Sequence, residues 1–180
     1  DGLSDAWELK WFGNTTNETA TGDFDGDGYS NLEEYDAGTD ASDSLSHPWS
    51  ISGTISYSGP QTGAFWVVAT TSSNSWTPVT NAILSSTGAY TITHLPAGAS
   101  YWIKAWRESV TNNARDAWEA KGEYSSPVYL STNIAGVDLV LSDPDNDDDE
   151  MPDWWEVVRF GSTNEIAGGH YDSDEYSNLD

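Results

Sequence analysis

The chain has 180 residues, with thirty acidic side chains against six basic ones and a net charge of −24. That balance excludes nucleic acid and anionic membrane surfaces as partners, since both would repel it. Cysteine is absent, so there is no disulfide framework or thiolate chemistry.

Ten tryptophans in so acidic a chain argue against disorder, and bound cations are the natural complement to the charge. The first stretch, Asp1-Gly2-Leu3-Ser4-Asp5-Ala6-Trp7-Glu8, reads as the back half of a calcium loop. Asp1 takes position 5, the Leu3 carbonyl position 7, Asp5 position 9 and Glu8 position 12, with the first two ligands expected before Asp1. Trp7, Leu9, Trp11 and Phe12 predict a short amphipathic helix stopped by Gly13. Asn14 and Asn17 each open a glycosylation-type triplet in a polar loop.

Asp23-Phe24-Asp25-Gly26-Asp27-Gly28-Tyr29-Ser30-Asn31-Leu32-Glu33-Glu34 fits the calcium-loop pattern D-x-[DN]-x-[DN]-G-x5-E throughout. Ca²⁺ takes about six to eight oxygens, and a loop of this spacing delivers them in order. Asp23, Asp25 and Asp27 supply the first three, the Tyr29 carbonyl the next, Asn31 one more directly or through water, and Glu34 closes the shell. Gly28 stands where the chain must turn with positive φ. A short helix follows and ends near Gly38; Asp40 and Asp43 then either complete a neighbouring site or solvate a linker.

From Pro48 the acids thin out, and β-branched and aromatic residues alternate with polar ones. Strands are predicted at about 50–57, 64–70, 89–94, 100–107, 127–131 and 136–141, with a further one near 80–84. Six or seven short strands without intervening helices predict an antiparallel β-sandwich. Trp102 and Trp106 alternate with Lys104 on one strand face and Trp66 lies on another strand, a possible glycan platform. Glu108, Asn112, Asn113, Asp116 and Glu119 form an oxygen-rich loop, read first as a polar loop and alternatively as one more calcium position.

Calcium chemistry returns at Asp145, Asp147, Asp149, Met151 (through its carbonyl), Asp153 and Glu156, which occupy positions 1, 3, 5, 7, 9 and 12. Glu150 replaces the usual glycine, so backbone strain is expected there. The last stretch, with Asp172, Asp174, Tyr176 and Asn178 after His170 at position 1, resembles the Asp23 loop but is degenerate, because imidazole is a poor Ca²⁺ ligand. The first and last acidic segments align at an offset of 148 residues at Asp1/Asp149 and 147 at Tyr29/Tyr176. The expected organisation is a calcium-loop pair (1–47), a β-sandwich (48–142) and a second pair (143–180), as in a window of a longer modular array.

The paired loops, with Ala37-Gly38-Thr39-Asp40 after the first complete one, resemble bacterial thrombospondin type-3 calcium repeats. That resemblance implies calcium ions that rigidify linkers in secreted or surface-anchored proteins. The middle resembles carboxypeptidase-regulatory-like, or transthyretin-like, sandwich modules through Gly53-Thr54-Ile55-Ser56-Tyr57, Gly88-Ala89-Tyr90-Thr91-Ile92 and Leu95-Pro96-Ala97-Gly98. Such modules imply a non-catalytic spacer or adhesion unit. His47, His94 and His170 are scattered, and no nucleophile motif or phosphate-cradling loop occurs, so no enzyme is expected. The expected partners are calcium and further copies or neighbouring repeats of the chain. Alternatives are a carbohydrate-binding accessory module and a dockerin-like unit, though the helix after Glu34 is short for a recognition helix.

Overall fold

A computed structural model describes residues 2–179; Asp1, expected to be a ligand, lies outside them. The protein is mainly β, with two sheets of three and five strands. Strands β1 (Trp49–Ser56), β4 (Gly88–Leu95) and β8 (Leu139–Val140) form the smaller sheet in the order β4-β1-β8. The larger sheet orders β3 (Thr80–Leu84), β2 (Ala64–Thr70), β5 (Ser100–Glu108) and β6 (Lys121–Glu123), with β7 (Val128–Tyr129) also paired to β5.

Alternation decides which faces meet. Ile51 and Ile55 of β1 and Tyr90, Ile92 and Leu95 of β4 share one core with Phe65, Val67 and Ala69 of β2 and Tyr101, Ile103 and Ala105 of β5. Period-two burial of apolar side chains is the main driving force for such an arrangement. Every predicted strand recurs within a few residues, including the one at 80–84. β6 is additional: Lys-Gly-Glu has no alternating pattern, and its pairing rests on the neighbouring β5 backbone.

One expectation is corrected. The sheets are not wholly antiparallel, because β8 runs parallel to β1 with Ile55 opposite Leu139. Side chains extend that edge where the ladder stops: Asn133 accepts from the Ser50 N–H, and Asp138 from the Thr54 N–H at 2.8 Å. Gly53 is required here, since a Cβ would lie 2.0 Å from the Val137 carbonyl oxygen.

Three short helices flank the strands: α1 (Asp5–Trp11), α2 (Asn31–Ala37) and α3 (Asp153–Phe160). α2 begins with a reciprocal capping box between Ser30 and Glu33 and ends at Gly38, φ 71°. Gly161 (φ 75°) stops α3 in the same left-handed way, whereas α1 is capped by the right-handed Phe12, with the expected Gly13 (φ 71°) one residue beyond.

The acidic segments are fastened to the strands on both sides. Tyr29 stacks on His47 at 5.1 Å, and His47 packs on Trp49 at 3.8 Å. On the other side Asp143 Oδ1 accepts from the Tyr57 hydroxyl and the Gln61 amide, each at 2.7 Å, and the Pro144 carbonyl accepts from the Asp153 N–H.

Candidate metal centres

Two aspartate triplets, Asp23/Asp25/Asp27 and Asp145/Asp147/Asp149, each gather carboxylate oxygens within 4.8 Å of one another and could hold a metal ion. The loop backbone builds both in the same way. The first aspartate folds the chain over itself: Asp23 Oδ2 accepts from the Gly28 N–H at 3.0 Å, and Asp145 Oδ2 from the Glu150 N–H at 3.1 Å. The fifth-position carboxylate accepts from the seventh-position N–H in three loops: Asp27 from Tyr29, Asp149 from Met151 and Asp174 from Tyr176, at 2.8, 2.9 and 2.7 Å. Turning this tightly needs left-handed backbone. Gly26 (φ 79°) and Gly28 (φ 98°) provide it in the first loop; Asp148 (φ 56°) and Glu150 (φ 77°) must adopt it in the second. The strain expected at Glu150 is therefore present.

The oxygens left over matter more than those used. Glu34 and Glu156, the twelfth-position residues, are both fully buried. Glu34 Oε2 and Glu156 Oε2 have no hydrogen-bond partner, and neither do the buried Asp25 Oδ2 and Asp27 Oδ2. Burial pushes the Glu34 carboxyl up to about 7, and the charges of Asp25, Asp27 and Asp23 add to the effect. Glu156 is raised in the same way, by burial first and then by Asp147 and Asp149. An unpartnered buried carboxylate is costly, and one that feels the charge of a neighbouring aspartate triplet is a place that a cation would relieve. The donors are oxygen alone, which suits hard ions.

The ninth-position residues do something the sequence did not reveal. Asn31 Oδ1 accepts from the Phe24 N–H, and its amide donates to the Thr19 carbonyl at 2.8 Å. Asn178 repeats both bonds, with the Tyr171 N–H and the Ile166 carbonyl, each at 2.9 Å. Asp153 Oδ1 accepts from the Asn146 N–H at 2.9 Å, and Oδ2 from the Asn146 amide. These side chains clamp the loop entrance shut, so their oxygens are already engaged. The only sequence sign was polarity at that position.

The remaining expected ligands are less assembled. Glu8 is buried, with Oε1 unpartnered, while Asp5 is exposed on α1 near Leu3. Asp172 and Asp174 are exposed, as is His170, and they are not part of a third converging cluster among the described residues. The aromatic geometry around the two acidic segments also recurs. Trp7 meets Phe12 edge-on at 5.2 Å, and Trp155 meets Phe160 at 5.3 Å. Phe12 contacts Phe24 at 4.9 Å, and Phe160 contacts Tyr171 at 4.8 Å.

The oxygen-rich loop after β5 is built differently. Glu108 Oε1 accepts from the Asn112 and Asn113 N–H groups, and Oε2 from the Trp106 indole. Glu119 Oε1 accepts from the Ser109 N–H, and Oε2 from the Asp116 N–H at 2.9 Å. Every oxygen of these two buried carboxylates has an N–H donor, so they hold a loop together.

The three tryptophans expected to form a glycan platform are not an open row. Tyr101, Ile103 and Ala105 take the core side of β5, leaving Trp102, Lys104 and Trp106 on the other. That face is covered: Trp106 is only 3% exposed and Lys104 1%. Trp66 stacks on Trp106 at 5.4 Å, whereas Trp102 lies opposite Thr70, farther along the strand. No family model, curated protein or solved structure matches the chain.

Proposed function

We propose that this is a non-catalytic, calcium-braced structural module of a secreted or cell-surface protein. The observation that carries this reading is the pair of buried glutamates, Glu34 and Glu156, each with an unpartnered oxygen beside an aspartate triplet. Oxygen-only loops with a twelfth-position carboxylate suit Ca²⁺, and extracellular modules work with affinities of only about 10⁻⁴–10⁻³ M. In this reading the acidic segments are EF-hand-like loops of the thrombospondin type-3 kind, and the two sheets form a transthyretin-like sandwich.

The chain's own residues explain how ion binding would reach the joints. The Tyr29–His47–Trp49 stack ties the first loop to β1. The bonds from Tyr57 and Gln61 to Asp143 tie the second to the other end of the same strand. Neutralising the loop carboxylates favours their convergence, and because ligation couples to folding it stiffens the chain on both sides of the sandwich. A rigid rod of such units, laterally or serially associated, is the role that follows.

The test is calcium titration of the intact chain, followed by calorimetry and by terbium luminescence sensitised by tryptophan. Two binding events are expected, one lost in Asp27→Ala and the other in Asp149→Ala, with the β core folded in both. Absence of any calcium-dependent heat, luminescence or thermal shift would remove the reading.

A further inference from the structure

The outer face of the five-stranded sheet carries a cleft of about 360 Å³ lined by Trp66, Trp76, Thr77, Trp106, Asn113 and Arg115. It lies apart from both aspartate triplets, and nothing in the calcium reading uses it. A larger cleft, about 550 Å³, lies between α3 and the 171–178 segment and belongs to the acidic loops already described.

The walls of the smaller cleft are held with unusual care. Its floor is the Trp66–Trp106 stack, with rings 18° from parallel, and Trp76 meets Trp106 edge-on at 6.1 Å. Two cations lie near the Trp76 ring: Lys104 Nζ is 4.9 Å from its centre, and the Arg115 guanidinium 4.4 Å. Lys104 is buried beneath it, donating to the Ser73 carbonyl and paired with Glu123. The rim carrying Asn113 and Arg115 is the loop stapled by Glu108 and Glu119, in which Thr111 (φ 59°) and Asn113 (φ 58°) are left-handed. Two buried carboxylates with every oxygen met by an N–H, and the β-branched Thr111 held at positive φ, fix this rim in place. The Asn113 side-chain amide makes no hydrogen bond to the described residues, and beyond its place against Trp76 the Arg115 guanidinium has one hydrogen bond, 3.4 Å to the Asp116 carbonyl.

We infer that this cleft is a binding site for a neutral polysaccharide chain. An indole face suits the apolar face of a sugar ring, and Trp66 offers one that is partly exposed. Asn113, Thr77 and Arg115 bring amide, hydroxyl and guanidinium groups to the same opening, which matches the equatorial hydroxyls of a hexose. The charge of −24 selects neutral chains over polyanions. The site uses Trp66, Trp76 and Arg115; Trp102 is outside it.

Affinity gel electrophoresis of the full chain with soluble xyloglucan, galactomannan, mixed-linkage β-glucan, arabinoxylan and polygalacturonate tests this, together with pull-down on insoluble cellulose and chitin. At least one neutral polymer should retain the protein, and polygalacturonate should not. Arg115→Ala and Asn113→Ala, both in the rim, should each weaken retention about tenfold. Trp66→Ala should abolish it, with far-UV circular dichroism confirming the fold. Retention should persist in Asp27→Ala with chelator present, which separates this site from the calcium loops. No retention by any neutral polymer, stronger retention by polygalacturonate, or retention indifferent to all three cleft variants would overturn the inference.

Discussion

Two buried glutamates that bracket the loop after β5, Glu108 at the strand's end and Glu119, and two in the acidic segments look alike in sequence, yet they are opposite in chemistry. Glu108 and Glu119 have every oxygen met by an N–H donor. Glu34 and Glu156 each keep one oxygen unmet, among other carboxylates. A buried carboxylate satisfied by backbone donors is a structural staple. One left unmet, in a field of like charge, is an arrangement that a cation would complete. Density of acidic residues alone does not separate the cases; the accounting of donors does.

The largest effect that would break this comparison is on the staple side. Glu119→Ala leaves the Ser109 and Asp116 N–H groups without acceptors and should cost about 3 kcal/mol, equally with calcium or chelator. A calcium-dependent loss in thermal or denaturant unfolding would move Glu119 into the ligand class. Glu34→Gln should behave the other way. With chelator present it removes a buried unpaired charge, so stability should hold or rise. It should also forfeit the calcium stabilisation of that loop, about 2.7 kcal/mol at a hundredfold excess over Kd. A chelated Glu34→Gln less stable than the parent chain would contradict the assignment.

Acidity offers a probe without mutation. Glu34 has its carboxyl raised to about 7, so the folded state prefers it protonated. Without calcium its contribution is therefore greatest below about pH 4.5 and is lost as pH rises towards 7. Calcium, which needs the ionised form, should reverse that slope; melting curves at pH 5 and pH 8 with and without the ion would show it. The smallest effect compares the two acidic loops. Glu150→Gly relieves a φ of 77° and should stabilise the second loop by about 1 kcal/mol, whereas Gly28→Ala should weaken the first by a similar amount. Equal responses in calcium affinity from both would mean that backbone strain is not what distinguishes them.

Much of this was legible in the chain. The gathering of Asp23, Asp25 and Asp27 follows from spacing, because the path of a short loop is local and fixed by residue count. The strand segments follow from period-two alternation for the same reason. The clamping role of Asn31 was hidden, since its partner at Thr19 sits twelve residues away and carries no sequence mark. The faces of β5 were ambiguous because both are bulky, and only the covering loops decide that Trp106 is shut in while Trp66 stays partly open.

The sequence by itself determined the acidic loops, the helix stop at Gly38 and the run of strands, all of them properties set within about a dozen residues. Tertiary structure alone decided that β8 lies parallel to β1, that Glu108 and Glu119 are staples and that Trp66, Trp76 and Arg115 meet in one cleft. The physical reason is common to all three. Satisfaction of a buried polar group, and the covering of an aromatic face, depend on which distant backbone the fold brings alongside, and residue spacing holds no record of that.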